Sequence, residues 1–203
     1  MREGQRVATN LCYLKTLIAD QEKRFDRRRV AVFVRDSHMD QAELESNAKA
    51  YAALCGLTLN LRTPLGEGTD GKVWKSSAGT AVKAVEREVG YYNERDSYLR
   101  LAEYGLTRKI DGFWVPRLVE FNDELRIIEM ELVGDPPFII DFAKVRIDRP
   151  PDFSEETMRD AEEKCEELFQ HHWPEVRMLL ATLESYGIYY LDPRPWNIVF
   201  ADL

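Results

Sequence analysis

Leu65-Gly66-Glu67-Gly68-Thr69-Asp70-Gly71-Lys72-Val73 is a G-x-G-x-x-G-x-V string, and what flanks it decides how it reads. The β-rich run 57–68 (LTLNLRTPLGEG) enters it and a second run, KVWKSS, leaves it. The glycines therefore close a β-hairpin. A dinucleotide fingerprint needs glycines that open a helix, so that a pyrophosphate rests on the helix N-terminus. That context is absent here. Glycine allows close backbone approach and positive φ, but such a hairpin, taken alone, also reads as an ordinary turn.

Downstream, TAVKAVE forms a third strand and places Lys83 on the face opposite Val82. A helical stretch runs from about Arg87 to Tyr104, and FWVPRLVEF and ELRIIEMEL read as a fourth and a fifth strand. Five strands with one helix after the third is a distinctive order. A buried lysine needs a carboxylate partner, and the helix offers Glu86, Glu88 and Glu94. Glu94 is preferred, because Tyr98 and Leu101 at i+4 and i+7 extend its face as an apolar stripe. Glu88 shares its face with Tyr92 and Arg95, a poorer inward surface.

Upstream, helical spacing predicts a helix over about 9–25, VAVFV a strand at 30–34, and Leu44, Ala48, Tyr51, Ala52 and Cys55 a second helix ended by Gly56. Past Asp135 the strands are expected to stop. Ser154 caps a helix with the face Met158, Ala161, Cys165 and Leu168, and Pro174 starts another with the face Val176, Leu179, Leu180 and Leu183. The expected organisation is a prefix over 1–56 packing on the core, a sheet-rich part over 57–133 and a helical part over 134–203.

The string Tyr190-Leu191-Asp192-Pro193-Arg194-Pro195-Trp196-Asn197-Ile198 carries the most specific chemistry. Its aspartate and asparagine stand five apart, with a basic residue between them. That spacing resembles the kinase catalytic loop, H-R-D-L-x-x-x-N, in which the aspartate meets the acceptor hydroxyl and the asparagine a metal on the phosphates. Tyr190 and Leu191 replace the His-Arg pair. Ala81-Val82-Lys83 matches the end of V-A-I-K, and the glycine hairpin matches the loop over the ATP phosphates.

In this order, over about two thirds of the chain, these elements resemble the protein-kinase-like superfamily, which includes bacterial small-molecule phosphotransferases. The ending is also similar to that of short bacterial kinase-like proteins. The resemblance implies an α+β, protein-kinase-like fold: a five-stranded antiparallel upper lobe with one helix, a short, mainly helical lower lobe, and a helix-strand-helix prefix. It implies ATP under Gly66, Gly68, Gly71 and Val73, with Lys83 on phosphate and Glu94 paired to Lys83. Ile128 would be gatekeeper, and the backbone of Glu129, Met130, Glu131 and Leu132 would hold the adenine edge. Asp192 would be the base, Arg194 would meet the transferring phosphoryl charge, and Asn197 would bind Mg²⁺.

Six residues follow Asn197 and contain no D-F-G. The second metal carboxylate is therefore expected to be missing, with Asp202 or a second subunit as substitutes. Three readings stay open: a phosphotransferase, a nucleotide-binding pseudokinase acting through a protein partner, and a noncatalytic interaction module.

Composition limits the classes. The chain has 203 residues, 44% hydrophobic and 32% charged. A net charge of −8 argues against a general nucleic-acid binder. The charge is uneven, basic over 1–31 and acidic over 151–170. No run approaches the ~20 apolar residues of a membrane span, no signal peptide is read, and a cytoplasmic location is expected. Cys12, Cys55 and Cys165 form no disulfide framework or metal motif. His171-His172 lacks a Cys or His partner at metal-ligand spacing.

Overall fold

The computed structural model describes residues 37–202. The helix expected over 9–25 and the strand at 30–34 lie outside them. The described chain is α+β. Helix α1 (Gln41–Cys55) opens with a reciprocal capping box between Asp40 and Glu43 and ends at Gly56, whose φ of 68° is left-handed. Its face Leu44, Ala48 and Tyr51 packs on Trp74, Val82, Ala84 and Ile127 of the sheet.

That sheet has five antiparallel strands: β1 (Gly66–Gly68), β2 (Gly71–Lys75), β3 (Thr80–Val85), β6 (Leu118–Asn122) and β7 (Ile127–Glu131), in the order β1-β2-β3-β7-β6. Helix α2 (Glu88–Glu103) follows β3. Two expected strands are shorter than their apolar runs. Over 57–68 only Gly66–Gly68 forms a ladder, with Leu59 in an isolated bridge to Ser76. FWVPRLVEF breaks around Pro116, since proline donates no ladder hydrogen bond. Its first half, β5 (Phe113–Trp114), pairs with β4 (Lys109–Ile110) in another sheet.

Strands also continue past Asp135, contrary to the sequence reading. β8 (Phe138–Ile139) pairs with β11 (Ile198–Val199), and β9 (Val145–Ile147) pairs with β10 (Ile188–Tyr190). At two or three residues each, these ladders are too short to show a period-2 pattern. Helix α3 (Glu155–Phe169) is capped by Ser154, and α4 (Trp173–Ser185) has proline in its first turn. The expected face of α3 is only partly covered. Cys165 and Leu168 pack on the core, while Met158 and Ala161 are exposed. One apolar core runs without a break from Ala81 and Met130 of the sheet through Phe142 to Val176, Leu179 and Ile198. Among the described residues, no helix is long and apolar enough to cross a membrane.

Candidate functional site

A cleft of about 590 Å³ opens between the β1–β2 hairpin on one side and the segments around β8 and after β10 on the other. It gathers most of the residues singled out in the sequence. Gly66, Gly68, Gly71, Val73, Lys83, Met130, Glu131, Asp192 and Asn197 all line it. Glu94, Glu129 and Arg194 do not.

The hairpin glycines divide into two kinds. A Cβ on Gly71, at φ 141°, would sit 2.1 Å from the Ala84 carbonyl oxygen, so the β2–β3 pairing itself requires glycine there. A Cβ on Gly66 or Gly68 would meet nothing within 4 Å. Packing does not explain those two, whose backbone faces the open cleft.

Lys83 is 3% exposed and Glu94 wholly buried. The Lys83 Nζ donates to Glu94 Oε1 at 2.9 Å and to Asp141 Oδ2 at 2.7 Å. Burial alone would pull the lysine down, yet Asp141 and Glu94 outweigh it and hold the ammonium above its ordinary pKa. Burial pushes the Glu94 carboxyl up to about 7, with Lys83 drawing it back. Burial would also raise Asp141, but Lys83 and the Ala143 N–H keep it below the usual carboxylate range.

Asp141 is the residue that sequence reasoning missed. It follows the apolar run Phe138-Ile139-Ile140 and heads the tripeptide Asp141-Phe142-Ala143. Phe142 is fully buried and packs edge-on against Tyr98, ring centroids 5.1 Å apart. The Tyr190 hydroxyl donates to the Asp141 carbonyl at 3.1 Å. β8 and β11 bring this segment to the aspartate–asparagine loop: Ile139 pairs with Ile198, and the Ile140 N–H donates to the Asn197 carbonyl at 2.9 Å. A carboxylate thus stands beside Asn197 in space, although it comes before Asn197 in the chain. The sequence signal was the Asp-Phe-Ala tripeptide, upstream of where a metal carboxylate was sought.

Asp202, the expected substitute, is not in the cleft. It pairs with His172 at 2.8 Å and His171 at 3.4 Å. Glu129 also lies outside the cleft lining. Residues alternate across a strand, and Met130, paired with Ala81, faces the cleft while Glu129 faces α1. There the Tyr51 hydroxyl donates to Glu129 Oε2 at 2.7 Å and the Thr80 hydroxyl to Oε1 at 2.5 Å. The strand end lining the cleft is therefore Met130–Val133, and Met130, not Ile128, stands at its inner edge.

Asp192 is held by two cations. Arg194 Nε donates to Oδ1 at 2.9 Å and Lys144 Nζ to Oδ2 at 3.3 Å. Burial would raise Asp192, but these bonds hold it below its ordinary value. Arg194 therefore positions Asp192 from outside the cleft lining. Lys144, unforeseen in the sequence, lines the cleft and also approaches Asp70 of the hairpin at 3.9 Å. The Asn197 amide nitrogen donates to the Asp192 carbonyl at 3.1 Å, which fixes the side chain and leaves its amide oxygen as the remaining acceptor.

No protein-family model matches the chain, and no curated protein is similar enough to count as a match.

Proposed function

We propose that this cleft binds ATP and that the chain is a protein-kinase-like phosphotransferase in which Asp141 takes the metal-carboxylate role. One observation carries the reading: Lys83 lies between Glu94 and Asp141 in the same cleft that Asp192 and Asn197 line. A buried ammonium needs a charged partner, and here two carboxylates share it. A phosphate arriving at Lys83 would take over part of that pairing and release Asp141.

In this reading the backbone at Gly66 and Gly68 approaches the phosphates and Lys83 binds them. The adenine lies between Val73 and Ala81 above and Met130–Val133 at the edge. The donor set fits Mg²⁺, because a carboxylate and an amide oxygen are hard oxygen ligands. Asp141 and Asn197 would hold the ion, which neutralises phosphate charge when bound. Asp192 faces the acceptor. The terminal phosphoryl group passes to an acceptor hydroxyl, ADP leaves, and the hydroxyl proton goes to Asp192.

A second reading, nucleotide binding without transfer, is favoured by one observation. Both Asp192 oxygens are engaged by Lys144 and Arg194, which weakens that carboxylate as a base. ATP titration and turnover in wild type and Asp192→Asn separate the two. Turnover abolished by the substitution supports transfer. ATP binding with no turnover in either supports the second reading. No ATP binding by wild type rejects both.

A further inference from the structure

We propose that His171, His172 and Asp202 form a binding site for one divalent transition-metal ion of the Zn²⁺ class, separate from the cleft. The three side chains come from two segments that the fold brings together: the 3-10 turn Gln170–His172 before α4 and the residues after β11. One nitrogen of each ring and a carboxylate oxygen all lie within 4.8 Å of one another. His171 Nε2 is 3.4 Å from Asp202 Oδ2 and His172 Nε2 is 2.8 Å from Asp202 Oδ1.

Tetrahedral zinc with bonds of about 2.0–2.2 Å separates its donor atoms by about 3.3–3.6 Å. The His171 Nε2–Oδ2 gap has that size, while His172 Nε2 meets the other oxygen, Oδ1, so coordination through one oxygen requires rotation of the exposed Asp202 carboxylate. Two imidazoles and one carboxylate suit a borderline ion such as Zn²⁺, Co²⁺ or Ni²⁺ rather than Mg²⁺ or Ca²⁺. Water completes the coordination.

The rings are held for this. His172 stacks on Phe200 with centroids 3.9 Å apart, and His171 lies against His172 at 4.0 Å. Gln170, just before the pair, has φ 51° and ψ −123°, a conformation that residues other than glycine rarely adopt.

A second observation points to a ligand. His172 Nδ1 is buried without a hydrogen-bond partner among the described residues. With the ring proton on Nε2, facing Asp202, Nδ1 is a buried acceptor with no donor. A metal on Nε2 moves the proton to Nδ1, where Glu175 Oε1, 3.8 Å away, accepts it after a modest shift. Metal-bound histidines commonly hold their second nitrogen in this way. The ion would fasten the segment that follows Asn197 to the start of α4, and β11 in that segment pairs with β8, which leads to Asp141.

The test is calorimetric titration of Zn²⁺ into the chelator-stripped full chain, with Mg²⁺ as control and melting temperatures in parallel. The expected result is one Zn²⁺ per chain at micromolar affinity and a higher melting temperature. His171→Gln and Asp202→Asn, both at exposed positions, should each weaken binding at least ~10-fold and remove the thermal shift. Mg²⁺ should not compete. Failure to bind Zn²⁺ would overturn the site. Zn²⁺ affinity unchanged in both variants would overturn it too, by placing the ion elsewhere.

Discussion

Lys83 Nζ lies 2.7 Å from Asp141 Oδ2, across 58 positions of sequence. The contact joins the third strand of the sheet to the segment after β8, and the ammonium reaches Glu94 of α2 at the same time. Three elements therefore converge on one buried cation. Asp141 arrives there ahead of the Asp192–Asn197 loop in the chain, and the β8–β11 pairing puts the two segments side by side.

The burial of Glu94 has a pH signature. Its carboxyl is pushed from 4.5 to about 7 by burial, opposed by Lys83. The native state then holds a proton that the unfolded chain has lost. That stabilisation is full below about 4.5 and is lost as the pH rises through about 7. Its upper bound is on the order of 3 kcal/mol. Asp141 has the opposite sign: its contribution is present above its ordinary pKa and is lost as the pH falls through its lower, folded value. Urea midpoints measured from pH 4 to 8 should show a fall in stability towards neutrality that Glu94→Gln removes. Parallel profiles for the two proteins would contradict this assignment.

The glycines of the hairpin should separate by substitution. Gly71→Ala drives a Cβ into the Ala84 carbonyl and should lower stability by about 2 kcal/mol or more. Gly66→Ala and Gly68→Ala add a methyl group in open space and should leave the melting temperature within a degree or two. On the proposed reading both should still weaken ATP, because the methyl group would stand where phosphate is expected to approach. If either weakens adenosine as much as ATP, its effect is not on the phosphates.

Helix α1 should depend on one polar anchor as well as on its apolar face. Tyr51 is buried and its hydroxyl meets Glu129. Tyr51→Phe keeps the ring and removes a hydrogen bond to a buried carboxylate, a loss of about 1.5–3 kcal/mol. Leu44→Ala, at a fully buried position, should cost about 2–5 kcal/mol. Denaturant midpoints check both. If Glu129→Gln binds ATP as wild type does, that supports its placement away from the cleft.

Much of this was legible in the sequence because the signals were local. Lys83 is marked by the Ala-Val-Lys match to a kinase signature, with strand alternation giving its face, and Glu94 by a helical face that Tyr98 and Leu101 complete. The C-terminal end of α1 followed from Gly56 and its inner face from the apolar spacing, whereas the Asp40 cap was not read. What was not legible depended on pairing between distant segments. The face that each residue of β7 presents depends on its register with β3, which sends the Met130 side chain to the cleft and that of Glu129 to α1. Asp141 was not legible because the kinase pattern places such a carboxylate after the asparagine, whereas Asp141 precedes Asn197 in this chain. Chain order does not fix spatial order when a two-residue ladder such as β8–β11 makes the junction.

The most direct test is ATP affinity with and without Mg²⁺, measured by titration calorimetry on wild type and Asp141→Asn. Wild type is expected to bind ATP, and Mg²⁺ to tighten that binding by about 10-fold or more, a differential of ~1.4 kcal/mol. Asp141→Asn should keep Mg²⁺-free ATP binding and lose the Mg²⁺ enhancement. Turnover, where present, should fall by roughly two to three orders of magnitude, as for loss of about 3–4 kcal/mol of transition-state stabilisation. No ATP binding by wild type, or a Mg²⁺ enhancement that survives Asp141→Asn intact, would contradict the role given to Asp141 and the reading of the cleft that rests on it.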